Sequence, residues 1–99
     1  MSVLYAFSTP VEPTGSLIVD SNGNLYGITN SGGAFGFGSV FKLTRSGNSW
    51  MYTSLHDFTG GSDGGFPFGN LTVDTNGNFY GTTFSGGASG NGVVWEITP

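Results

Sequence analysis

The stretch Val19-Asp-Ser-Asn-Gly-Asn-Leu-Tyr-Gly-Ile-Thr29 returns as Val73-Asp-Thr-Asn-Gly-Asn-Phe-Tyr-Gly-Thr-Thr83, and this duplication constrains the fold more than any other feature. In each copy two short apolar runs flank an Asn-Gly pair. That is the pattern of a β-hairpin closed by a type I′ turn, with positive φ at both central residues. Laid over residues 71–98 without a gap, residues 17–44 are identical at about 17 of 28 positions, the signature of a true internal repeat. A shorter match joins residues 4–7 to residues 55–58.

Read in order, residues 3–7 form a short strand, and the prolines and glycine of 8–16 break it. Residues 17–20 and 24–29 are the hairpin, 30–38 a glycine-rich loop, and 39–44 a third strand with Phe41 and Leu43 on one face and Val40 and Lys42 on the other. Residues 50–58 give a fourth strand, 59–70 a loop, and the chain then repeats strands one to three through Thr98. The order is therefore a fourth strand, strands one to four, then strands one to three. A unit of about 50 residues with four strands has the size and form of a β-propeller blade.

The expected fold is all-β, a single two-blade propeller fragment over 1–99, with blade one at 17–58 and blade two at 71–98. Two blades cannot close a ring, and they leave apolar faces and an unpaired strand edge. The expectation is a homo-oligomer of three or four chains, in which residues 3–7 complete the last blade of a neighbour by strand exchange.

Composition supports this and narrows the function classes. Nineteen glycines recur at matching places, so they mark turns rather than low complexity. Only 8% of residues are charged, which leaves much surface suited to burial against a partner. The net charge of −4 rests on six acids against Lys42 and Arg45, with no basic stripe for nucleic acid. No run is long enough to span a bilayer as a helix, and Met1-Ser-Val lacks the basic start of a signal peptide. The absence of cysteine excludes disulfides and thiolate zinc sites and leaves the compartment open. Asn70-Leu-Thr72 fits a glycosylation sequon, too short a match to carry weight.

The repeated pattern is carried by Asp20, Gly23, Asn24, Tyr26, Gly27, Gly32, Gly33, Val40 and Phe41, and by Asp74, Gly77, Asn78, Tyr80, Gly81, Gly86, Gly87, Val94 and Trp95. With these residues the chain resembles the tandem repeats called GloVer repeats. The resemblance implies a propeller-like array in a bacterial exported or surface protein and brings no catalytic residues. Such arrays hold more than two repeats, and Trp95 stands where Phe is usual. Gly32-Gly33, followed by Phe41 and Trp50, is also loosely similar to a kelch blade.

The candidate chemistry is sparse. Asp20 and Asp74 head clusters of oxygen ligands, but the glycine of each falls in a hairpin and no terminal bidentate acid follows, so they read as turn residues bonded to nearby N–H groups. His56 is the only histidine; its counterpart is Tyr5, and its neighbour Asp57 points to the other face of a regular strand. Without a recognisable base, nucleophile or metal cluster, neither an enzyme nor a cofactor is expected. Phe35, Phe37, Phe66 and Phe68 lie in glycine-rich loops, where they either cap the core between blades or stack on sugar faces. Lys42 and Glu96 occupy corresponding positions and are expected to pair across a blade interface. The function expected is a structural module that assembles into a ring; the alternative is a lectin-like, multivalent carbohydrate-binding module.

Overall fold

Runs rich in β-branched and aromatic residues between glycine turns give seven strands and leave no helical period. In the computed structural model, which describes residues 1–8 and 11–98, these are β1 (Pro13–Val19), β2 (Leu25–Thr29), β3 (Ser39–Ser46), β4 (Ser49–Asp57), β5 (Gly65–Val73), β6 (Phe79–Ser85) and β7 (Val94–Ile97). Strands β1 to β4 form one antiparallel meander in sequence order, and β5 to β7 form a second.

The two sheets follow one plan down to their irregularities. Pro13 faces Thr29 and Ile18 faces Tyr26 in the first; Pro67 faces Thr83 and Thr72 faces Tyr80 in the second, with a register shift between the pairs in both. The repeat thus reaches back past Leu17 and Leu71. The loops expected at 8–16 and 59–70 are shorter, because β1 and β5 begin inside them. Proline is compatible with the start of a strand, where a ladder N–H is not required. Phe66 and Phe68 consequently stand on β5 rather than in a loop.

The hairpin turn also differs from expectation. Gly23 N–H donates to the Asp20 carbonyl at 3.1 Å, which closes a turn on Ser21 and Asn22, and Asp20 N–H donates to the Asn24 carbonyl at 3.0 Å. Gly23 has φ 83°, while Phe66 is the one non-glycine residue with positive φ among those described. A type I′ turn needs positive φ at Asn22 as well. The loop is instead a type I turn followed by a left-handed glycine, the usual three-residue hairpin with its bulge. Gly77 and Asp74 repeat it.

Strand alternation gives each sheet two faces. Ile18, Tyr26, Ile28 and Val40 share the front of the first sheet; Leu17, Leu25, Phe41 and Leu43 share its back. The core forms where the first sheet's front meets the second sheet's back: Tyr26, Ile28, Val40 and Phe58 pack with Leu71 and Phe79. The Tyr26 and Phe79 rings lie 4.4 Å apart. Each such side chain, once fully buried, contributes about 1.5–3 kcal/mol. Residues 1–7 form no strand within the chain.

Candidate functional site

Repeat-equivalent residues with unlike burial mark the surfaces that the chain leaves uncovered. Val40, on the front of the first sheet, is 0% exposed, and its equivalent Val94, on the front of the second, is 80% exposed. On the backs the order reverses: Leu71 is 6% exposed and Leu17 is 57% exposed. Chemically matched residues are buried inside the chain at one joint and open at each end. Phe68 and Phe84 add to the open front of the second sheet, and Leu4 to the open back of the first.

The second sheet also stops one strand short. In the first sheet β3 is covered by β4; the equivalent β7 is the last strand of its sheet. Beside β7 runs a groove of about 300 Å³ lined by His56, Phe58, Asp63, Trp95 and Ile97. Trp95 Nε1, buried there, has no hydrogen-bond partner among the described residues. A buried donor in this condition is rare in a finished fold.

The N-terminal segment repeats the pose of the end of β4. Phe58 lies against Trp95 with centroids 5.9 Å apart, and His56 meets the Phe58 ring edge-on at 4.7 Å. Phe7 lies against Phe41 at 5.6 Å, and Tyr5 meets Phe7 edge-on at 5.3 Å. Phe41 is the equivalent of Trp95. Phe7 therefore sits on the back of the first sheet as Phe58 sits on the back of the second.

Of the aromatic candidates, the fold brings two together. Phe37 and Phe66 meet across the joint with centroids 5.3 Å apart, and Phe66 N–H donates to the Phe37 carbonyl at 2.7 Å. Phe66 holds a left-handed φ of 55°, an outlier for so bulky a residue, and these contacts hold it there. Phe35 and Phe68 are exposed and take no part in this pair.

His56 has a carboxylate that sequence reasoning missed. The 59–64 loop folds back through a Gly64 N–H to Gly61 carbonyl bond, and Asp63 Oδ2 comes within 2.9 Å of His56 Nε2. Asp63 also accepts from the Thr59 N–H and hydroxyl. Partial burial opposes its charge, but the bonds from Thr59 and His56 outweigh that and hold the carboxyl below its usual range. The only sequence signal was a second acid seven residues on, and no periodicity could have placed it across a loop. The pair anchors the loop that walls the groove.

Asp20 and Asp74 organise the hairpins. Asp20 Oδ1 accepts from the N–H groups of Asn22 and Asn24, and Oδ2 from the Asn24 amide and the Tyr26 hydroxyl. Asp74 does the same with Asn76, Asn78 and Tyr80. Desolvation pushes Asp20 up, yet Asn24, Tyr26 and Asn22 together draw it below its ordinary value. For Asp74 the Tyr80 hydroxyl is the main cause of the same downward shift.

Lys42 and Glu96 do not meet. Each lies on the front of its own sheet and addresses its own tyrosine: Lys42 Nζ stands 5.8 Å from the centre of the Tyr26 ring, and the Tyr80 hydroxyl is 3.1 Å from Glu96 Oε2. Fronts pack on backs, so equivalent front positions cannot face one another.

Two antiparallel sheets built on one repeated plan, with an incomplete edge, define an all-β repeat protein. The family model described as the Gloeobacter/Verrucomicrobia repeat matches residues 1–99, and the chain belongs to that family. No curated protein and no solved structure matches it.

Proposed function

We propose that the chain is a structural repeat module that joins copies of itself into a closed β-propeller ring, in a role without catalysis. The observation that carries this reading is the contrast between equivalents: Val40 against Val94, and Leu71 against Leu17. The buried joint inside the chain is a front on a back, and each chain presents one further front and one further back. Such a head-to-tail contact makes rings where the rotation closes and filaments where it does not. Exposed apolar faces and an open β edge are both removed by closure. Three or four chains give six or eight blades, within the usual propeller range.

Strand exchange completes each second sheet. Moving the β3–β4 register onto β7 and the N-terminal segment sets Val94 opposite Tyr5 of the neighbouring copy, Trp95 opposite Val3, and Glu96 opposite Ser2. Native mass spectrometry of the whole chain is the test. A discrete trimer or tetramer is the expected result; a folded single chain at tens of micromolar overturns the reading, and an open-ended ladder overturns closure. The lectin-like reading is left with the exposed rings of Phe35 and Phe68, since Phe37 and Phe66 pack against each other across the joint.

A further inference from the structure

We infer that the joint between copies is chemically distinct from the joint inside the chain, and that Phe84 of one copy seats on Pro13 of the next. This rests on the assembly reading above and specifies its contact surface. Inside the chain the joint is keyed by Pro67. Its carbonyl accepts from the Asn30 amide at 3.1 Å, and its ring fits against Gly38, where an added Cβ would lie 2.6 Å from the proline Cδ. Moved by one repeat, Pro67 becomes Pro13 and Gly38 becomes Gly92, so the proline and the glycine it needs are both present at the open ends. Tyr26 likewise becomes Tyr80, Val40 becomes Val94, and Leu71 becomes Leu17.

The exceptions give the outer joint its own character. Asn30 becomes Phe84, Ile28 becomes Thr82, and Thr14 becomes Phe68. The amide-to-carbonyl bond of the inner joint is thus replaced by an aromatic ring facing a proline, and an aliphatic contact by a hydroxyl. Phe84 and Phe68 are among the most exposed large side chains of the molecule. Pro67 is buried, while Pro13 is exposed. A single chain leaves this aromatic pair in water, and a second copy's back face covers it with the same Pro13 and Leu17 framework that is already built to receive a front. The partner is therefore another copy of this chain.

The inner pair Phe37 and Phe66 corresponds to Asn91 and Glu12, an amide and a carboxylate able to share a hydrogen bond. The joint between copies carries three polar substitutions, Thr82, Asn91 and Glu12, that the inner joint lacks. It should open before the two sheets of one chain separate.

The test replaces Phe84 with photo-reactive p-benzoylphenylalanine in the full chain and mixes isotopically heavy and light copies before irradiation. The expected product is a heavy–light dimer linked from position 84 to residues 11–17 of the other copy. Adding Val94→Asp on the same face should lower the yield by on the order of tenfold, the effect of about 1.4 kcal/mol on the contact. Copies that assemble without a link to 11–17 overturn this joint and leave the ring reading standing. A chain that stays single by light scattering, with no heavy–light product, overturns both.

Discussion

The first sheet and the second are built from nearly the same sequence, yet one is finished and the other is not. The first has four strands, a buried front under the second sheet, and a back partly covered by Tyr5 and Phe7. The second has three strands, a buried back and an open front. What separates them is position in the chain rather than composition. A residue type such as valine at the third-strand front is core in one copy and surface in the other, because a repeat buries its faces only against its neighbours. Burial here is a property of the array.

The sharpest probe of that contrast is the pair Phe58 and Phe7, which hold the same pose on successive sheets. Phe58 is 1% exposed and belongs to the core between the sheets, so Phe58→Ala should cost about 3–5 kcal/mol in urea unfolding. Phe7 is half-buried, and Phe7→Ala should cost less than half as much in dilute, unassembled chain while sharply weakening assembly in light scattering. Equal losses of stability from the two substitutions would break the comparison, since they would make the N-terminal segment an ordinary part of one chain's core.

A middle-sized effect tests whether the two copies are locally the same. Gly23 and Gly77 both have φ 83° and nothing near the site of an added Cβ, so alanine at either meets only backbone strain. Each substitution should cost about 1–2 kcal/mol, equally in the two copies. Asn22→Ala should stay within about 0.5 kcal/mol, because Asn22 contributes its backbone N–H to Asp20 and its φ is not positive. A large loss at Asn22, measured by chemical denaturation, would restore the type I′ turn that the Asn-Gly pair suggested.

That turn shows where sequence reasoning succeeded and where it ran out. The duplication, the all-β class and the order of β1 to β7 were legible because repeats and alternation survive in one dimension, whereas residues 3–7, read as a strand, form none within the chain. The turn type was not, since Asn-Gly fits both turn classes and the choice falls to the Asp20 carboxylate holding Asn22 and Asn24 from one side. The early starts of β1 and β5 were hidden by proline and glycine, which read as breakers but serve at a strand start and a bulge. Lys42 and Glu96 were correctly placed as equivalents, yet equivalence put them on the same face of different sheets. The His56 and Asp63 contact depends on a loop returning, for which no residue pattern gives a distance.

The smallest expected effect lies in that same Lys42 and Glu96 substitution, where the two copies differ in charge beside a shared tyrosine. Tyr80 has one proton and two carboxylate neighbours, Asp74 at 2.7 Å and Glu96 at 3.1 Å, and its hydroxyl is pushed up to about 12, chiefly by the bond to Asp74. Tyr26 is also raised, first by burial and then by Asp20, but its third-strand neighbour is a cation. A group that holds its proton more tightly when folded contributes stability that is fully present below its unfolded value of 10.0 and fades as pH rises through about 12. Glu96→Lys should therefore move the Tyr80 ionisation down toward its ordinary value and narrow that alkaline window. Tyrosinate absorbance, compared with a Tyr80→Phe control, reads the shift directly. If the last tyrosine to ionise stays where it was, Asp74 alone sets the Tyr80 proton, and the charge difference between the two copies has no local consequence.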